Sequence, residues 1–197
     1  ADVAARMHAV SSVASALTCA LLYSLTVRFI VMWRGVPATS TDRVLLYGSA
    51  VIGALSLAFS PTFWYNAVEA EVYNMSLLFI SGILWIGMLW HERAETTRGD
   101  AYILLIAYLV GLAAGVHFLA LLVLFPVMML YYFRLYEFSI LSFVKFSLAA
   151  LTVFGLVYPG IVKVLPSLLD GEFAGMRSSV ITFIPLLLIG AALFGVY

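Results

Sequence analysis

Long apolar runs alternate with short polar ones along the whole chain. The first, from about Met7 to Trp33, is long enough to cross ~30 Å of hydrocarbon as a helix. Small residues crowd its first half (Ser11, Ser12, Ala14, Ser15, Ala16, Ala20), which suits close helix packing in lipid. The polar stretch RGVPATSTDR follows, with Pro37 to stop the helix and Thr41 or Asp42 able to cap the next one. A second run spans about Val44 to Phe59 and is broken by Pro61; a third spans about Val72 to Trp90. After the polar stretch HERAETTRGD, Ala101 to Phe133 reads either as one long helix or as two short arms turning near Gly115-Val116-His117. Phe138 to Ile161 forms the next span, ending at Pro159-Gly160. A polar, turn-rich KVLPSLLDGEFAGMR leads to a last span from Ser178 to Tyr197.

Charge chooses between the two readings of 101–133. Arg93 and Arg98 precede it and Arg134 follows it. A hairpin keeps all three on one face, as the positive-inside rule favours; a single span separates them. Each arm is then short for a full span, so thinned or tilted helices are expected. The GLAAG pattern of Gly111 and Gly115 predicts tight contact between the arms, and Pro126 a kink in the second. The fold expected is an all-α, polytopic transmembrane bundle of about seven spans. With loop 34–43 inside, Arg28, Arg34, Arg43, Arg93, Arg98, Arg134 and Lys145 lie inside or near it, and Arg6, Lys163 and Arg177 outside. The N-terminus, the 60–76 loop, His117 and the Asp170/Glu172 loop then share the outer face.

Composition agrees. The chain is 64% hydrophobic and 10% charged, with a mean hydropathy of +1.11. A soluble domain is nearer half apolar and about a quarter charged. The formal net charge is zero, which argues against a nucleic-acid partner. The single cysteine, Cys19, allows no internal disulfide and no cysteine-based metal site. The start shows no cleavable signal peptide and the end falls inside an apolar run. We therefore expect one transmembrane domain over 1–197, belonging to a longer protein.

Within this frame, SPTFWYNAVEAEVYNMS (60–76) stands out: aromatic, acidic, and without Lys or Arg. Such a connection between spans reads as an interfacial loop on the non-cytoplasmic face, and its carboxylates as candidate functional groups. On a continuous helix Glu69 and Glu71 are ~200° apart, so they are no ready-made pair. A plain interfacial loop remains the competing reading. His117 serves either as a cap at its turn or as a phosphate donor or metal ligand. Asp170 and Glu172 in LDGEF resemble a turn more than a calcium loop. Arg177 beside them pairs with an anionic lipid head or anchors the next span.

The blocks DVAARMHAVSSVASALTCALLY, FWYNAVEAEVYNMSLLF and YLVGLAAGVHFLALLVLFPVMMLYYF resemble, in this order, a bacterial membrane family common in Bacteroidota. That family is related to the GT-C glycosyltransferases and similar to protein O-mannosyltransferases. The resemblance covers most of 2–135 and is most specific at AVEAEVY and GVHFL. It implies a GT-C-like fold in the bacterial inner membrane. It also implies transfer of a sugar from a polyprenyl-phosphate donor to a hydroxyl of an exported protein on the outer face. The family's catalytic base is expected upstream of Ala1, and Asp2 is not equated with it. Glu69, Glu71, Tyr73 and His117 carry over as residues for the donor phosphate, a bound divalent cation or the acceptor. A metal bridge through Glu71, or charge from His117 or Arg177, would meet the phosphate. A non-catalytic scaffold or lipid-binding subunit is the alternative, and a transporter the third. Against a transporter, only Arg28 falls mid-span and no inverted repeat of broken helices recurs.

Overall fold

A computed structural model describes residues 3–69, 71–95 and 99–170, and the short stretches 172–173 and 176–177. The chain divides into two compact units, Ala1–Glu137 and Phe138–Tyr197.

In the first unit, α1 (Val3–Arg34) is longer than the sequence predicts, about 48 Å at the helical rise. It ends at Gly35, whose φ of +84° suits a residue without Cβ and lets its N–H reach Val31 O at 2.8 Å. Helix α2 (Ser40–Ala58) starts on Thr39, not on Thr41 or Asp42. Thr39 and Asp42 form a reciprocal capping box, so Asp42 acts from the third helical position. Pro61 then does more than break the helix. It opens the short α3 (Pro61–Val68), bent 63° from α2, with Phe59 stacked on Trp64 across the bend.

Helix α4 (Tyr73–Arg93) is the hub, packing on α1, α5, α6 and the 3-10 segment, and is the most buried of the long apolar helices. It runs parallel to α1. Ser11 meets Glu71, Ser15 meets Asn74, Ser24 meets Trp85 and Arg28 meets Glu92, in rising order along both. Arg28 places one guanidinium nitrogen 2.5 and 2.6 Å from the Glu92 oxygens and lies over the Trp85 ring. The cation expected mid-span lies instead toward one end of the bundle, beside the last turn of α4, and is an inter-helix clamp.

The hairpin reading of 101–133 is correct. Helix α5 (Gly99–Val116) stops at His117, which is extended; a 3-10 segment (Phe118–Val123) leads into α6 (Leu124–Leu135). Arg134 then reaches Glu95 at 2.7 Å and Tyr131 stacks on Trp90, so the second arm returns to the level where the first began. Two expectations fail. Gly111 and Gly115 face open space, because both arms pack on α4; among the described residues the glycine nearest to another helix is Gly87, where a Cβ would lie 3.2 Å from Leu130 Cδ1. Pro126 falls in the first turn of α6, where its missing N–H breaks no bond, so it starts a helix instead of kinking one.

The second unit carries α7 (Ile140–Pro159), which continues through a π-helical stretch (Gly160–Val164) into α8 (Leu165–Leu169). Thus 163–169, predicted as a polar loop, is helical. Beyond it Glu172–Phe173 pairs antiparallel with Met176–Arg177.

The pattern predicts seven spans. Among the described residues, four helices are long and apolar enough to cross a membrane, or five if the bent α2–α3 pair counts as one. Ile140–Thr152 is a shorter apolar helix, and the span expected over 178–197 lies outside the described residues. The molecule is an all-α, multi-pass membrane bundle. Its many exposed Leu, Val, Ile and Phe side chains are what a lipid-facing surface requires.

Candidate functional site

The candidate residues of the first unit gather at one end of its bundle. At the other end are Arg28 with Glu92 and Arg134 with Glu95.

The gathering starts from how the 60–76 stretch folds. Glu69 is extended (φ −94°, ψ 155°) after α3 closes at Val68, and α4 opens at Tyr73. The stretch is therefore not one helix, and the ~200° separation of the two carboxylates does not apply. Both Glu69 and Glu71 are exposed. Glu71 is held through its backbone: Ser11 Oγ donates to its carbonyl at 3.1 Å and accepts from its N–H at 3.3 Å.

Tyr73 and His117, far apart in sequence, meet with ring centroids 5.2 Å apart. His117 also stacks on Phe118 and starts the 3-10 segment, its Nδ1 accepting from the Leu119 N–H at 3.2 Å. Of the two roles open to His117, the cap is present. The cap also fixes the tautomer: with Nδ1 accepting, the neutral ring carries its hydrogen on Nε2 and can donate there.

Below this layer the α1–α4 seam is polar. Ser11, Ser15, Thr18, Asn74, Ser76 and Ser81 are all buried. Asn74 Nδ2 donates to Ser15 Oγ at 2.5 Å, and Ser15 Oγ donates to Ser11 O at 2.7 Å. Among the described residues, Asn74 Oδ1 is buried without a hydrogen-bond partner.

Sequence reasoning missed His8. Its Nδ1 lies 2.6 Å from Val68 O, and Ser12 Oγ donates to Ala67 O at 2.9 Å. The signal available was the i, i+3, i+4 spacing of His8, Ser11 and Ser12, which puts them on one helical face.

Among the described residues, no group of three or more His, Cys, Asp or Glu could hold a metal ion. Glu71 by itself does not make a metal site. Asp170 closes α8 through its backbone N–H. Arg177 pairs through its backbone with Glu172; its side chain lies outside the described residues. A cavity of about 540 Å³ sits at the opposite end of the bundle, lined by Trp33, Arg34, Pro37, Asp42 and Leu46 among others, and takes no part in this grouping.

Searches of curated proteins and of solved structures each returned no match. Residues 1–140 match the family described as Protein O-mannosyl-transferase TMEM260 N-terminal domain. With that match over most of its length, on a multi-pass helical bundle, the chain belongs to this family of membrane glycosyltransferases of the protein O-mannosyltransferase kind.

Proposed function

We propose that this protein takes a sugar from a polyprenyl-phosphate donor and transfers it to a hydroxyl of an exported protein, at the outer face of a bacterial inner membrane. The family carries the reaction type. The observation that carries the site is the meeting of Tyr73 and His117 beside the acidic stretch, at the end of the bundle opposite the Arg28 and Arg134 ion pairs.

In this reading His117 donates from Nε2 to an oxygen of the donor phosphate. A fixed N–H donor aimed at an oxyanion stabilises the negative charge that grows as the glycosyl bond breaks. Tyr73 lies against the same ring and offers its hydroxyl. The exposed carboxylates of Glu69 and Glu71 orient the acceptor. None of these residues is assigned as the general base. The test is transfer from polyprenyl-phosphate mannose to an acceptor peptide by the full-length protein in liposomes. His117→Asn keeps an acceptor for the Leu119 N–H and removes the Nε2 donor, so transfer should fall by about tenfold or more. Undiminished transfer by that variant would take His117 out of the site.

A further inference from the structure

We propose that His8, Ser11 and Ser12 are positioning residues that dock the acidic stretch onto the first turns of α1 and leave its carboxylates free for a ligand. The docking stands on the geometry alone; its consequence for transfer rests on the function proposed above.

The final carbonyls of a helix have no partner within it. Helix α3 is short and solves this largely from outside. Tyr65 O accepts from the Glu69 N–H, but Ala67 O is taken by Ser12 and Val68 O by His8. Three residues further on, Ser11 Oγ makes both of its bonds to the backbone of Glu71, and Ser15 then holds Asn74 at the start of α4. Because His8, Ser11, Ser12 and Ser15 lie on one face of α1, this strip fastens the chain at Ala67, Val68, Glu71 and Asn74. None of these bonds uses the carboxylates of Glu69 or Glu71, and both residues are exposed. The backbone is held while the charges remain available.

The ring nitrogen that makes the His8 bond is also determined. A carbonyl oxygen can only accept, so Nδ1 must carry the hydrogen. Imidazole in that tautomer and imidazolium both supply it. The latch is therefore a fixed N–H at one position of the side chain, and another residue can supply it. Asparagine places its amide nitrogen where Nδ1 sits; glutamine places its own one atom further out, near the Nε2 position.

The experiment compares His8→Asn, His8→Gln, the double variant His8→Ala/Ser12→Ala, and Glu71→Gln in the full-length protein in lipid nanodiscs. Amide hydrogen exchange is read over 67–75, with Ile83 to Met88 of α4 as the check on folding, and transfer is measured on the same samples. The double variant and His8→Gln should raise exchange at 69–73 by about tenfold with α4 unchanged, since each lost bond opens the segment locally. His8→Asn should restore the parent's exchange. Parent-like exchange in the double variant would overturn the proposal, as would His8→Asn behaving like His8→Gln. If the double variant exchanges faster while its transfer and that of Glu71→Gln stay at the parent's rate, the docking stands and the functional reading of the acidic stretch falls.

Discussion

Replacing Ser15 by alanine should destabilise the bundle more than replacing Asn74 by leucine, although the two residues share one hydrogen bond. Asn74 is fully buried; its Nδ2 donates to Ser15 Oγ at 2.5 Å, and its Oδ1 has no partner among the described residues. Ser15→Ala removes the acceptor and leaves the whole amide buried and unpaired, which costs about 1–3 kcal/mol. Hydrogen bonds between membrane helices average about 0.6 kcal/mol and reach about 1.7, so a loss of about 1–2 kcal/mol is expected. Asn74→Leu keeps the branched heavy-atom skeleton and removes both amide atoms. Ser15 is not orphaned, because its hydroxyl still donates to Ser11 O at 2.7 Å. The lost bond, about 0.6 kcal/mol, is offset by removing an amide oxygen already buried unpaired. The result should lie between neutral and about 2 kcal/mol more stable. The double variant should resemble Asn74→Leu, giving a coupling energy of about 1–2 kcal/mol. Reversible unfolding in mixed micelles titrated with dodecyl sulfate measures all three. Additive costs, or an Asn74→Leu variant about 2 kcal/mol less stable than the parent, would refute the reasoning and mean that Oδ1 is satisfied in the folded protein.

Two further outcomes can be checked by the same kind of measurement. Gly35→Ala should cost about 1–2 kcal/mol from backbone strain alone, because φ is +84° and a Cβ would meet no atom within 4 Å; an unchanged midpoint would mean that the α1–α2 turn relaxes to negative φ. The side-chain hydrogen bond from Thr39, and then the one from its backbone, hold the Asp42 carboxyl below the usual range in the polar turn ahead of the α2 apolar run. A depressed folded value means that its contribution is complete above an ordinary carboxylate pKa of about 3.9 and is lost as pH falls through the lower folded value. Melting curves of the parent and Asp42→Asn should therefore converge as pH drops below about 4, and a gap that widens there would reverse the sign.

Most of the fold can be read along the chain, because a bilayer demands continuous apolar runs and punishes interruptions. The break at His117 followed from where three arginines fell, and the pairing of Arg134 with Glu95 closes the hairpin as that reading requires. The likeness to O-mannosyltransferases rested on three blocks, and the family match covers the region that holds them. Glu69 and Glu71 were singled out because carboxylates are rare in such a chain. Their backbone geometry is not legible, since nothing in the local pattern marks the end of α3 at Val68. The GLAAG expectation failed for a related reason. A small-residue motif says that a close approach is tolerated, not which neighbour makes it, and both arms pack on α4.

The sequence by itself determined where most of the long apolar helices lie, which ends are basic and which acidic, and a relation to the protein O-mannosyltransferases. These are set by local runs of apolar residues, by charge at their ends, and by residue order. Only the tertiary structure decided that α1 and α4 run side by side in parallel, that Tyr73 meets His117, and that His8 and Ser12 hold the last carbonyls of α3. Each of those contacts joins residues more than forty positions apart. Such contacts form through side-chain packing and hydrogen bonding in lipid, where no hydrophobic force selects the partner and no local pattern records it.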